Sequence, residues 1–496
     1  MAEVKFIDTT LRDGQQSLWA LNMRAEVMTP IAPLLDRAGF DAMEYWMPWI
    51  QLSKVARDLR EDPWNWVRYG IPKLGKTRLR LHGHPGNAIA RGFNTVPSAV
   101  TWLLVDKCVE YGIRYTRLSS AWNDAAELEP RVRALEAAGI QSIVNLIFSV
   151  SPRHTDEYYE ERAAAMAAIR PYRICFKDVG GLLIPERARV LIPKLLKAAG
   201  AVEVEYHAHC NNGMATVCYL EAVDAGMKYL HTAVPPLSDG SSLPSVFEVA
   251  GNLTERGHTP AVDLTDLPAV QKHLSFVARR DGLPVGQRPA HDEFLYRHQV
   301  PGGMISNLRH QLSLVGQLDR LPQVLEESAR VREDFGYPIM VTPLSQFVGV
   351  QAAINVVTGE RYGMATDEVI QYALGKWGAE APALMDPAVR EKILNRPRAE
   401  ELARERPPER TLEEVRKAYP GLSDEDLILR VYAGDDVDKL ERRPRPGSHL
   451  LGSSPLVDLV SGLATGHRFR QVTVRQGEDV IQVRRNSAAA GARTGS

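Results

Sequence analysis

Eight short β-rich runs recur through the first 250 residues, segments of helical spacing separate them, and glycines stand shortly before several of the runs. These three features together predict an α/β chain, a (β/α)8 barrel of the TIM type followed by a mainly helical C-terminal region.

The runs are Val4–Thr9, Phe40–Trp46, Arg78–His84, Ile113–Ser119, Ile140–Ser149, Arg173–Lys177, Val202–His209 and Tyr229–Val234. Between them, Pro185–Gly200 is a clear helical segment, with a Pro suited to a first turn and a Gly suited to a helix end. Gly39, Gly112, Gly139 and Gly226 also shortly precede strands, where αβ turns favour glycine. No G-x-G-x-x-G follows the first run, which disfavours a doubly wound dinucleotide-binding sheet. From about residue 290 the pattern changes. Leu308–Phe335, Pro343–Val357 and Thr366–Trp377 have helical spacing and no regular strands between them. The expected division is a catalytic barrel over 1–290, a helical extension over 291–445 and a tail over 446–496. Arg404–Arg410 reads as a charged linker, Arg468–Arg485 as a small hairpin and Asn486–Ser496 as a disordered end.

Composition narrows the function. The 496 residues are 44% apolar and 24% charged, ordinary values for a globular chain with a large core. Sixty basic residues balance 61 acidic ones, so nothing global draws the chain to nucleic acid or an anionic membrane. No apolar run reaches the ~18 residues of a transmembrane helix, and the N-terminus does not read as a signal peptide. Four cysteines without a C-x-x-C pair argue against a disulfide scaffold or a structural zinc site. A cytoplasmic enzyme is the expectation.

In a barrel, chemistry gathers at the C-terminal strand ends. Strand 1 there reads Asp8-Thr-Thr-Leu-Arg12-Asp13-Gly14-Gln15-Gln16, strand 6 reads Cys175-Phe-Lys177-Asp178, and strand 7 reads His207-Ala-His209. Residues two apart on a strand share a side, so His207 and His209 can face one point. Strands 1 and 7 are separated only by strand 8, so an acid from strand 1 can reach that point. Two imidazoles and a carboxylate suit a divalent ion such as Zn, Mn or Co. Lys177, inward on its strand, is costly unless compensated. It forms a salt bridge to Asp178 or another acid, or its neutral amine takes up CO2 as a carbamate and becomes a metal ligand; spacing leaves both open. The Trp46, Trp49, Trp64 and Trp66 group is read as packing rather than as a pocket.

Several segments resemble the carboxyltransferase domain of biotin-dependent enzymes, the family of pyruvate carboxylase, the oxaloacetate decarboxylase α subunit and transcarboxylase. They are Asp8–Ser17, Phe176–Leu183, His207-Ala-His209 with Asn212-Gly-Met-Ala215, and Ser238–Ser245. Beyond the barrel, Val300-Pro-Gly-Gly303, Ser306-Asn-Leu308 and Val341–Ser345 resemble the family's helical extension. The resemblance implies that Asp13, His207, His209 and a carbamylated Lys177 hold one metal. It implies that Arg12 and Gln16 contact the 2-oxo acid, its enolate or the ureido oxygen of biotin. Ser241 stands where the family has a proton-shuttling threonine, and its hydroxyl preserves that role.

The sequence also departs from the family. Where Leu-Leu-Arg-Gly carries an Arg for the pyruvate carboxylate, this chain has Arg80-Leu-His82-Gly83-His84 and a two-residue length difference. His82, His84 and Arg80 share strand parity and are the candidates to replace that Arg, with His82 taken as substrate-binding; otherwise the acceptor is not pyruvate. The Trp-Gly-Gly-Ala-Thr-Phe-Asp expected after strand 2 is Trp46-Met-Pro-Trp-Ile-Gln-Leu52. Cys210 and Met304 also replace common family residues. No biotin attachment segment and no ATP-grasp region is present, so the biotin carboxyl carrier and biotin carboxylase are expected as separate chains. The expected activity is carboxyl transfer between carboxybiotin and a small 2-oxo acid, pyruvate or oxaloacetate in type, by a homodimer. The alternative is a biotin-independent metal-dependent lyase, aldolase or decarboxylase on the same barrel.

Overall fold

The computed structural model describes residues 2–484 apart from 84–88, 91–93, 315, 406–408, 444, 448, 452–470 and 478. Its centre is a closed parallel barrel of β1 (Glu3–Asp8), β2 (Ala42–Trp46), β3 (Arg78–His82), β4 (Tyr115–Ser119), β5 (Gln141–Ile147), β6 (Arg173–Asp178), β7 (Val204–Ala208) and β8 (Tyr229–Thr232). Each strand pairs with the next, and β8 closes on β1 with Lys5 opposite Tyr229 and Asp8 opposite Thr232. A ninth strand, β9 (Thr259–Ala261), joins the N-terminal end of β1. All eight β-rich runs are therefore barrel strands.

The connecting helices follow their sequence signals. Helix Pro185–Ala199 begins with Pro at its first turn and ends at Gly200, whose φ is +60°. Gly39, Gly112, Gly139 and Gly226 all have positive φ, from 76° to 107°. Among the described residues no helix is long and apolar enough to cross a membrane, and all four cysteines are free and buried.

The helical region differs from expectation in two ways. Leu308–Phe335 is not one helix: Gly302–Leu314 stops before Gly316, at φ +68°, and Leu321–Asp334 starts afresh with Pro322 in its first turn. Nor do all later helices pack together. Residues from Val300 to Leu402 share a second apolar core, but Val415, Leu427, Ile428, Leu429 and Tyr432 are buried in the barrel's own core. Trp64 explains the return. It is fully buried, stacks on Tyr111 at 6.2 Å and donates its indole N–H to the Glu425 carbonyl at 3.1 Å. Trp46, Trp49 and Trp66 are buried in that core too, so the aromatic group is packing. The hairpin is Gln471–Gln476 against Asp479–Arg484. The expected linker falls partly, and the expected disordered end wholly, outside the described residues.

The second core is fastened to the loops at the C-terminal face of the barrel. Trp122, just after β4, belongs to it, lies 6.1 Å from Tyr372 and donates to the Trp377 carbonyl at 3.0 Å. Arg332, buried, donates to the Ser149 hydroxyl and the Val150 carbonyl, both at 3.0 Å, just after β5. Gln299 reaches the same loop, accepting from Ser149 at 2.9 Å.

At the end of β1, Asp8 folds the turn that follows. One carboxylate oxygen accepts from the Thr10 hydroxyl at 2.6 Å and from the Thr10 N–H at 3.3 Å; the other is buried without a hydrogen bond. Burial pushes the Asp8 carboxyl up to about 7.

Trp122→Ala should destabilise the helical region by about 3–5 kcal/mol, read as earlier urea unfolding of that region; an unchanged profile would remove this residue as the fastening. The native state keeps the Asp8 proton to about pH 7, whereas an unfolded Asp releases it near ~3.9. Between those values the native state binds more protons, so Asp8 makes stability fall as pH rises. Asp8→Asn should flatten that fall in urea titrations at pH 4.5 and 7.5.

Candidate active site at the barrel mouth

The turn after β1 carries the first two site residues. Thr10–Gly14 is a single π-helical turn, and all five residues are buried. Such turns recur at functional sites because they aim side chains that a regular helix would not. Gly14 is required by close approach: a Cβ there would stand 2.8 Å from the Leu237 carbonyl oxygen. The turn is thereby pressed against the loop after β8, with Asp13 facing the ends of β6 and β7.

Asp13, His207 and His209 converge. His207 Nε2 lies 3.2 Å from one Asp13 oxygen and His209 Nε2 lies 3.4 Å from the other. Neither Nε2 atom makes a hydrogen bond of acceptable geometry, although both are buried. Two buried ring nitrogens without hydrogen-bond partners, facing one carboxylate, could hold a divalent metal. Burial alone would raise the Asp13 carboxyl, but Arg12 and His209 outweigh it and hold it well below the carboxylate range. Burial holds the His207 imidazole well below its ordinary value, and Arg117 adds to the effect. Both groups thus stand in the ligand form, an anion and a neutral ring.

Lys177 pairs across strands with His207, so it stands beside the same cluster. It is buried, and that burial, reinforced by Arg117 and Arg12, pushes its ammonium down to about 7. Asp178 is not its partner. The Asp178 carboxylate accepts the N–H groups of Leu182 and Leu183 at 2.9 and 2.8 Å, and its own carbonyl accepts from His209 N–H at 2.9 Å. Asp178 therefore folds the Val-Gly-Gly loop and leaves the lysine to the barrel interior. Among the described residues no carboxylate forms a salt bridge with Lys177.

Arg12 donates to Asp13 at 2.7 Å, to Glu44 through Nε at 2.7 Å, and to Gln16 Oε1 at 3.4 Å. Ser17 Oγ donates to Asp13 at 2.9 Å, and the Ser241 hydroxyl donates to the Ser17 carbonyl at 3.1 Å. Arg12, Gln16, Asp13 and Ser241 are thus joined through one short segment. His82 sits at the end of β3 and accepts from Arg117 Nε at 3.2 Å; burial holds its ring neutral. Arg80 does not share its position. It is fully buried lower in the barrel and donates to both oxygens of Glu205 at 2.9 Å, so it is unavailable to a carboxylate at the mouth. His84 lies outside the described residues.

Beneath these residues lies a layer that the sequence reading missed: Glu44, Arg117, Glu205 and His231, all fully buried. Glu44 accepts from Arg12 and forms an ion pair with Arg117, whose Nε lies 2.8 Å from its other oxygen. Their signal was available, since charged residues in the middle of near-continuous apolar parallel strands face a barrel interior. Glu205 moreover stands two residues before His207 and shares its side of the strand. Cys175, Glu205 and His231 also bring three potential ligand atoms together. Their chemistry does not suit a second metal: Glu205 is occupied by Arg80 with Arg173 at 3.7 Å, and burial pushes the Cys175 thiol up to about 12.

Similarity to known proteins identifies the family. Residues 295–445 match the family model described as a conserved carboxylase domain, and residues 113–274 match the one described as HMGL-like. A pyruvate carboxylase subunit of Methanocaldococcus jannaschii is 35% identical over 395 residues, 79% of this chain and 68% of that protein. The methylmalonyl-CoA carboxyltransferase 5S subunit of Propionibacterium freudenreichii subsp. shermanii is 31% identical over 388 residues, 78% of this chain and 76% of that protein. The carboxyl transferase domain of Rhizobium etli pyruvate carboxylase, solved with pyruvate, has the same fold, with a TM-score of 0.78 at 23% identity over 89% of this chain and 77% of that one. With this barrel, this helical extension and these relatives, the chain belongs to the carboxyltransferase family of biotin-dependent carboxylases.

Proposed function

We propose that this chain is the carboxyltransferase component of a multi-chain biotin-dependent enzyme and moves a carboxyl group between carboxybiotin and a small 2-oxo acid of the pyruvate or oxaloacetate type. The observation that carries the reading is the convergence of Asp13, His207 and His209 beside Lys177 and the Arg12–Gln16 pair. Biotin on a separate carrier chain, charged by a separate biotin carboxylase, would bring or remove the carboxyl group.

A divalent ion, Zn, Mn or Co, fits Asp13, His207, His209 and a carbamylated Lys177, and would supply positive charge beside an oxygen that becomes anionic as the acceptor enolises. The remaining work belongs to the chain's own groups. Arg12 is held in place by Asp13 and Glu44 and keeps part of its guanidinium toward Gln16, so it can stabilise that developing charge without first reorganising. Gln16 presents an amide beside it to orient the acceptor. Ser241 keeps a hydroxyl able to receive and return a proton, and its bond to the Ser17 carbonyl fixes where that proton is exchanged. His82 takes the place of a carboxylate-binding Arg and offers a neutral ring in its stead. The loss of that Arg is the observation that favours the second reading, a biotin-independent lyase or decarboxylase on the same site.

Oxaloacetate decarboxylation by the metal-loaded protein, with and without free biotin, separates the two. Acceleration by biotin that is lost in Ser241→Ala supports carboxyl transfer; turnover indifferent to biotin assigns the site to a lyase. Metal content should be near one ion per chain and should fall sharply in His207→Ala, and native-state mass spectrometry should show about +44 Da on Lys177, the mass of one CO2. Unchanged metal occupancy in His207→Ala would remove the ligand assignment, and an unmodified lysine in fully metal-loaded protein would remove the carbamate.

A further inference from the structure

The fully buried layer under the site contains a hydrogen-bond chain that the proposed chemistry does not use. His207 Nδ1 lies 3.2 Å from His231 Nδ1, and His231 Nε2 lies 3.1 Å from Glu205 Oε1. Glu205 is in turn gripped by Arg80, which donates to both its oxygens at 2.9 Å. The fourth participant is Arg117, whose Nη1 lies 3.1 Å from His207 Nδ1 and 3.4 Å from His231 Nδ1.

Donor and acceptor counting restricts how these rings can be protonated. A neutral imidazole has one N–H and one lone pair. For His207 to offer its Nε2 lone pair to a metal, its proton must sit on Nδ1. Arg117 accepts no hydrogen bond, so the acceptor facing that Nδ1–H is His231 Nδ1. His231 must then carry its own proton on Nε2, where the ionised Glu205 receives it. In the opposite arrangement Arg117 donates to His207 Nδ1, the proton stands on Nε2 toward Asp13, and the ring cannot ligate.

We propose that Glu205 and His231 are positioning residues that hold His207 in its Nδ1–H form and so make its Nε2 a metal ligand. Ligating histidines usually hand their second N–H to a carboxylate or carbonyl; here a second histidine stands between ligand and carboxylate. Arg80 acts one step further back by fixing Glu205. The inference rests on the proposed metal site.

The test is metal affinity, measured by competition of Zn2+ or Mn2+ against a chromophoric chelator, together with the melting temperature of the metal-free protein. Removing Glu205 alone would strand Arg80, so both are replaced in Arg80→Leu/Glu205→Leu, since exchange of a whole buried ion pair for apolar residues is often neutral for folding. The double variant should melt like the parent without metal but bind metal about 10–100-fold more weakly. Glu205→Gln keeps an acceptor oxygen for His231 and should retain most of the affinity; His231→Phe keeps the ring volume and should lose it as the double variant does. Parental affinity in the double variant or in His231→Phe would overturn the proposal, and so would an equal loss in Glu205→Gln. His207→Ala distinguishes the levels: if it too binds metal normally, the metal site itself is misassigned, whereas loss there with parental affinity in the double variant sinks only the relay.

Discussion

Closure of the barrel between β8 and β1 is the constraint on which the rest of the molecule depends. Lys5 to Asp8 register against Tyr229 to Thr232, residues more than 200 positions later. Without that pairing, the turn carrying Arg12 and Asp13 would have no fixed relation to β6 and β7. With it, the turn is wedged against the loop after β8 at Gly14 and faces His207 and His209. A parallel strand needs a long crossover to reach its neighbour, so the Arg12–Gln16 turn, Lys177, the His207–His209 pair and Ser241 lie far apart in the sequence and only closure assembles them.

Closure also creates an interior that is far from apolar. Arg12, Glu44, Arg80, Arg117, Lys177, Glu205, His207 and His231 are all buried there. An unpaired charge in such a place costs several kcal/mol, so the layer persists through mutual pairing: Glu44 between Arg12 and Arg117, Glu205 between Arg80 and His231. Lys177 is the exception, with no carboxylate bound to it among the described residues and burial favouring its neutral amine. The same desolvation that makes the interior expensive favours the uncharged forms of the Lys177 amine and the His207 ring.

The helical extension is tied to this arrangement at its C-terminal rim. Trp122, Ser149 and Val150 follow β4 and β5, and each is bonded to the second core or to a residue leading into it. The last helices instead return to the outer side of the barrel through Trp64 and Glu425. The region beyond residue 290 is therefore two attachments, one over the mouth and one along the flank.

Strand count, parallel order and the shared facing of His207 and His209 were legible in the sequence because they depend on local pattern. Eight β-rich runs alternate with helical segments, glycines mark the turns, and His207 and His209 share a face by the period of a strand. The break after Leu314 was missed because helical spacing continues through it, and Gly316 with Pro322 alone mark the stop. What the tertiary structure decided is pairing. Asp178, next to Lys177 in sequence, turns outward to cap a loop. Arg80, of the same parity as His82, is spent on Glu205 across the barrel. Glu44, Arg117 and His231 gain meaning only from one another. A strand's period fixes which side a residue faces, but the partner it meets there is set by barrel closure and register, which no local stretch of sequence contains.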